Sequence, residues 1–180
     1  MRIDINKYLI KIFRKTNLSL YKYDGDGEYV TLDENGKYHS INDKPAFVKV
    51  SENGSIINEQ WWKNGEKHRG DDKPSDITYY DNGSVMQQQW YENDRPKRRG
   101  VDEPNDIYYY KDGQIRRKCW WHNAWLSREY DFAASIEYHP NGQIAKETWY
   151  DRYLEEVRYI KYDTNGNITK EWEIDYTPEW

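Results

Sequence analysis

One cysteine, Cys119, is all the chain has, so no internal disulfide can form and a reducing compartment is expected. No run approaches the ~20 apolar residues of a transmembrane helix. The opening MRIDINKYLIKIFRK is broken by charge and lacks a small-residue cleavage site, so it does not read as a secretory signal. The expected location is intracellular and cytoplasmic. Aliphatic residues are scarce and the mean hydropathy is -1.25, which excludes a thick core of facing Leu, Ile and Val layers. The sequence holds no glycine-rich phosphate loop, no H-E-x-x-H and no paired zinc-type cysteines. Carboxylates are plentiful, yet none stand out as an acid/base pair. These absences point to a protein that is not an enzyme and carries no cofactor.

What is present is ring-rich and charged. The 180 residues include 9 Trp and 18 Tyr, with aromatics at 17% and charged residues at 33%. Rings with polar tips suit half-wet surfaces, which favours one domain built as a thin sheet or solenoid over a closed globule. A disordered chain would be poor in aromatics, so the low hydropathy does not read as disorder. Net charge is -5 and unevenly spread: residues 1–24 hold six Lys or Arg against Asp4 and Asp24, leaving the rest at -9. An acidic body argues against nucleic-acid binding, which needs cations to neutralise phosphates.

An internal repeat dominates the chain. The turn dipeptides Asn53-Gly54, Asn82-Gly83, Asp112-Gly113, Asn141-Gly142 and Asn165-Gly166 follow one another at nearly even spacing, with only the last interval shortened. Asp24-Gly25 stands one further interval upstream of the first. The aromatic pairs Trp61-Trp62, Trp90-Tyr91, Trp120-Trp121 and Trp149-Tyr150 keep the same period. So does a D-x-P marker at Asp43–Pro45, Asp72–Pro74 and Asp102–Pro104. Before each turn runs an alternating segment in which Val48, Ile77, Ile107 and Ile136 share one column and Val50, Tyr79, Tyr109 and Tyr138 the next. Period-two alternation rich in Tyr and Ile predicts a half-buried strand. The Asn-Gly or Asp-Gly supplies the positive φ angles of a tight hairpin turn. Ile56, Val85, Ile115, Ile144 and Ile168 open a returning strand that runs to the aromatic pair, and a loop of the form NGEKHRGDDKP follows.

The predicted fold is therefore all-β: a single-layer, elongated antiparallel sheet of tandem β-hairpin units of about 29 residues, roughly ten strands at ~4.8 Å spacing. Residues 20–175 form this domain in about five units, and 176–180 are a tail. In residues 1–19, Ile5, Leu9, Ile12 and Phe13 fall on one helical face with Lys7, Lys11, Arg14 and Lys15 elsewhere. This reads as an amphipathic helix capping the first hairpin's edge, with a membrane-surface helix as the alternative. The last unit is shortened, and the loop NAWLSREYDFAAS has lost both His-Arg and proline.

The unit N-G-x-x-H-R-x-x-D-x-P, carried best by residues 64–93, resembles the MORN-type hairpin repeats found in tandem in proteins of giant DNA viruses of amoebae. The resemblance covers roughly residues 20 to 175. It implies a curved antiparallel sheet that serves as a scaffold or binding surface without catalysis. It also implies a virus-encoded adaptor or virion component, in host cytoplasm or virion. Ser75 and Asn105 depart from the pattern, standing where alanine usually follows the proline, and NDRPKRRG replaces NGxxHRxG in the unit that begins at Asn93.

Two sets of residues are candidates for function. Strand parity sends Trp61, Trp90, Trp120 and Trp149 to one face and Trp62, Tyr91, Trp121 and Tyr150 to the other. One set then lines a core-like side and the other forms a partly exposed aromatic strip, unless long neighbouring side chains pack both. A strip of rings suits a protein partner or a second copy of the chain, since Trp, Tyr and Arg dominate binding hot spots. A glycan or small ligand on the same rings, with Gln87, Gln88 and Gln89 converging, is the alternative.

The second set is the loop. His39 and His68 are equivalent, Arg98 takes that position next, and Asp43, Asp72 and Asp102 share one register. These residues would make a metal site if the histidines were ligands, but replacement of His by Arg down the column suits a hydrogen bond or ion pair. The aspartates are read as turn acceptors neutralised by a neighbouring cation such as Arg69, and no metal is expected. Cys119 is equivalent to Gln60, Gln89 and Thr148, an ordinary strand position and not a nucleophile's setting.

Overall fold

The computed structural model describes residues 20–23, 27–100, 102–123, 125–128, 132–151, 153 and 155–174. The expected helix over residues 1–19 and the tail 176–180 lie outside them. All regular structure among the described residues is β-strand. The chain divides into two units, residues 1–95 and 96–180.

In the first unit β1 (Leu20–Tyr23), β2 (Glu28–Thr31), β3 (Phe47–Val50), β4 (Ile56–Gln60), β7 (Asp76–Tyr79) and β8 (Val85–Gln89) pair antiparallel in that order. Between β4 and β7 the chain makes a small separate hairpin of β5 (Trp62–Lys63) and β6 (Glu66–Lys67). Two short strands, β9 (Tyr91–Glu92) and β10 (Arg95–Pro96), carry the chain to the second unit. There β11 (Asp106–Tyr109), β12 (Ile115–Cys119), β15 (Ser135–Tyr138), β16 (Ile144–Tyr150), β17 (Glu156–Tyr162) and β18 (Ile168–Glu173) again pair antiparallel in order. Its side hairpin is β13 (Trp121–His122) with β14 (Trp125–Leu126). The leading strands β3, β7, β11 and β15 begin at Phe47, Asp76, Asp106 and Ser135, and the returning strands β4, β8, β12 and β16 at Ile56, Val85, Ile115 and Ile144. Both sets keep the period of the turn dipeptides.

Alternation explains the packing. Val48, Ile77, Ile107 and Ile136, one column in the sequence, are all at 9% exposure or less. In the second unit the two faces of the sheet hold separate clusters. Cys119, Ala134 and Leu126 pack with Tyr108, Trp121 and Tyr150 on one side. Trp120, Ala133 and Ile136 pack with Tyr138, Ile144 and Trp149 on the other. Each cluster is small, as the scarcity of aliphatic side chains requires, and rings finish both.

The turns differ from expectation. A two-residue turn needs positive φ at both central residues (type I′) or at the first (type II′), but at residues 53–54 only the second, Gly54, is left-handed, with φ 80°. Asn53 instead accepts the Ser55 N–H on its side-chain oxygen at 3.0 Å, and the Gly54 N–H donates to the Ser51 carbonyl at 2.8 Å. The result is a three-residue loop with a glycine bulge, and the pairing register slips once beside it, between Lys49 and Val50. The same slip recurs between Thr78 and Tyr79, Tyr108 and Tyr109, and Glu137 and Tyr138. The two-residue left-handed turns sit where the sequence reads as plain loop: Asn64 (φ 54°) with Gly65 (φ 89°), and Asn93 (φ 52°) with Asp94 (φ 61°).

A second correction concerns the aromatic pairs. The returning strands β4, β8 and β12 stop at Gln60, Gln89 and Cys119 and do not run through the pair. The first ring lies between strands and the second opens the next short strand. Only β16 continues through Trp149 and Tyr150. The break has a cause in the residues just ahead of the leading strand of the same hairpin. Ser75 accepts the Tyr91 N–H on its hydroxyl at 2.8 Å, and Asn105 accepts the Trp121 N–H at 2.9 Å. Where alanine stands, at Ala46, Ser40 does the same for Trp62 at 2.9 Å. These side chains replace the ladder bond that the chain loses as it turns aside. They also account for Ser75 and Asn105 departing from the repeat.

Candidate functional site

The loop residues and the first rings meet in one cluster. In the first unit Trp61 is 5% exposed, and the Arg69 guanidinium lies 3.6 Å from its ring centre. The same guanidinium donates to both carboxylate oxygens of Asp43, at 2.8 and 3.1 Å, and to the Pro74 carbonyl at 3.0 Å. Lys73 adds a third donor to Asp43 at 3.0 Å, and the Trp61 indole N–H donates to the Asp43 carbonyl at 3.1 Å. Asp43 itself sits in a left-handed turn with Asn42 (φ 57° and 50°). Hydrogen bonds from Arg69 and then Lys73, opposed by some desolvation, lower its pKa from 3.8 to about 2. The Asp is thus clamped by a cation that the chain supplies nearly one full repeat later.

The second unit repeats the arrangement with variations. Arg128 stacks over Trp120 at 4.1 Å and over Phe132 at 4.8 Å, and donates to Asp102 at 3.0 Å. Arg99 donates to the Pro104 carbonyl at 2.7 Å. Within the first unit, Asp72 stands to Trp90 as Asp43 does to Trp61, its carbonyl accepting the Trp90 indole N–H at 2.9 Å. The Trp120 indole nitrogen is buried without a partner among the described residues.

Beside each cluster lies a cavity. One, of about 270 Å³, is lined by His39, Trp61, Trp62, His68 and Arg69. The other, of about 80 Å³, is lined by Arg98, Trp120, Trp121, Ser127 and Arg128, the equivalents of those five residues two repeats later. His39 accepts the Asn64 N–H on Nδ1 at 3.3 Å, and His68 Nδ1 is buried without a partner among the described residues. Among the described residues no group of three His, Cys, Asp or Glu could hold a metal ion.

The two sets of rings differ in exposure. Trp61, Trp90 and Trp120 are at 5–6% exposure. Trp149 is half-buried under Arg158, 4.7 Å away. The second rings, Trp62, Tyr91, Trp121 and Tyr150, are all half-buried. Trp62 lies 5.0 Å from the Tyr38 ring, and Lys67 reaches over both Trp62 and Tyr91 at 5.7 and 5.2 Å. Lys67 also pairs with Asp76, 7% exposed, which accepts from the Asn58 amide at 2.7 Å. This bridge ties the side hairpin to the main sheet. No sequence pattern marks it, because Lys67 does not recur at its distance from the aromatic pair, where Pro96 and Leu126 stand in the next two repeats.

Cys119 is 2% exposed, and burial pushes its thiol up to about 11, so it stays protonated near neutral pH. Gln87, Gln88 and Gln89 lie along β8, all half-buried. The sequence matches none of the family models it was compared with, and no curated protein matches it.

Proposed function

We propose that the chain is a non-enzymatic scaffold of tandem MORN-type hairpin units that binds a protein partner, or a second copy of itself, through its sheet. The observation that carries this reading is where large apolar side chains stay in water. Trp125 (43%), Phe132 (47%), Tyr153 (66%), Ile168 (59%) and Trp172 (41%) are all exposed. Exposed apolar surface marks interaction sites, and Trp and Tyr are the side chains that anchor them. Leading and returning strands that recur at the period of the sequence motifs support the repeat part of the proposal. A role as a virus-encoded adaptor rests on the resemblance alone. Association with a membrane surface would rest on residues 1–19.

The test is a chemical cross-linking and sedimentation comparison of wild type with a Trp125→Ala/Trp172→Ala variant, followed by capture from native host extract. A complex formed by wild type and lost by the folded variant supports the proposal. Identical complexes from both remove these rings from the surface.

A second reading, a glycan or small-ligand module, is favoured by the cavity of about 270 Å³ beside Trp62 and His68. A saccharide panel titrated against Trp fluorescence, with His68→Ala as control, tests it.

A further inference from the structure

We propose that a row of lysines on the last three strands, Lys146, Lys161 and Lys170, docks an extended acidic segment of a partner protein along the open edge of β18. The proposal rests on the protein-binding reading above and names the chemistry of the partner. Lys146 stands directly opposite Lys161, and Lys161 directly opposite Lys170, in the pairing of β16 with β17 and β17 with β18. Opposed residues lie about 5 Å apart at Cβ, where like charges destabilise a sheet.

Only Lys146 is offset, by Glu156 at 3.0 Å, with Glu137 opposite it on β15. Lys161 and Lys170 are exposed, and neither has an ion-pair partner among the described residues. The carboxylates of β18 do not help, because Glu171 and Glu173 pair with Arg158 and alternate to the opposite face. All three ammonium groups gather instead around one ring, Tyr159, at 4.9, 5.5 and 5.4 Å. Tyr159 in turn stacks on Trp172 at 5.7 Å. A chain of net charge -5 thus holds a concentrated positive row in which, among the described residues, Lys161 and Lys170 have no carboxylate partner.

The edge supplies the second half. Among the described residues β18 is the last strand of its sheet, and all six of its residues are exposed. An extended peptide pairing along such an edge gains main-chain hydrogen bonds, and every second side chain falls on one face. Acidic residues at those positions would meet Lys170 and Lys161, with Trp172 as the apolar anchor. The same charges would attract phosphates. Tyr159, however, is already ringed by lysines and stacked on Trp172, so it does not offer the open platform that a nucleobase needs.

The experiment is fluorescence anisotropy of the full chain with three labelled probes: a synthetic peptide of alternating Glu and Val, its Lys-for-Glu counterpart, and oligouridine. Wild type should bind the acidic peptide, more weakly as salt rises, and the Lys161→Ala/Lys170→Ala variant at least about tenfold more weakly. The variant's thermal midpoint should equal or exceed that of wild type, because the repulsion between strands is gone. Equal binding by the variant, tighter binding of oligouridine, or a lowered midpoint overturns the proposal. Loss of this site with retained Trp125- and Trp172-dependent capture would leave the scaffold reading standing and remove only the acidic partner.

Discussion

The hairpins of the first unit and the last hairpins of the second are built from the same alternating strands but finish differently. In the first, a D-x-P turn, an arginine and a buried tryptophan lock together, the returning strand stops after five residues, and a side hairpin turns off. Between β16 and β17 that loop is missing, and both strands run for seven residues. Residues 27–95 expose no large apolar side chain, whereas Tyr153, Ile168 and Trp172 in the last hairpins are all exposed. The lesson concerns the first ring of each pair. Where an arginine-bearing loop folds over that tryptophan, as at Trp61 and Trp120, it is core, and where the loop is missing, at Trp149, it stays half-buried and the strands run longer.

The largest test of this contrast is a pair of substitutions. Trp61→Ala should cost about 3–5 kcal/mol of stability, because it empties a site that is 5% exposed. Trp172→Ala, at 41% exposure, should cost about 1 kcal/mol or less, mostly its stacking on Tyr159. Urea unfolding followed by circular dichroism measures both, and equal losses would break the comparison. A smaller effect is expected at Ser75, which is 0% exposed and accepts the Tyr91 N–H. Ser75→Ala should cost about 1–2 kcal/mol by leaving that donor without its partner, and amide exchange at Tyr91 should quicken.

The smallest is a pH effect. The Asp43 pKa, about 2 in the fold against 3.8 ordinarily, gives stability that is present above about pH 4 and lost as the pH falls toward 2. Asp43→Asn should therefore flatten the acid limb of the thermal midpoint, by a modest amount because the carboxylate is 46% exposed. An unchanged acid limb would mean the clamp is not electrostatic.

Much of this architecture was legible beforehand. The buried column of Val48, Ile77, Ile107 and Ile136 could be read from alternation alone, and strand positions from the spacing of Asn-Gly and Asp-Gly. The turn type was not legible, because Asn-Gly serves a two-residue turn at Asn64-Gly65 and a bulged three-residue loop at Asn53-Gly54. The dipeptide permits both, and the flanking register selects one. The side hairpins were hidden for a related reason: two-residue strands such as Trp62–Lys63 are too short to show a period. The loop site was half legible. Asp43 and Arg69 stood out as repeating, but their pairing with each other across nearly a whole repeat, and the stacking that buries Trp61, required the folded chain.

The amino-acid sequence by itself determined the period, the all-β character and which side of each strand faces inward, because these follow from local alternation and turn chemistry within a few residues. Only the tertiary structure decided that three of the four leading tryptophans are buried and that three lysines share one row. The lysine row depends on the register between neighbouring strands, where a slip of one residue moves every side chain to the other face, and the burial of Trp61 and Trp120 on an arginine brought over each ring by the loop.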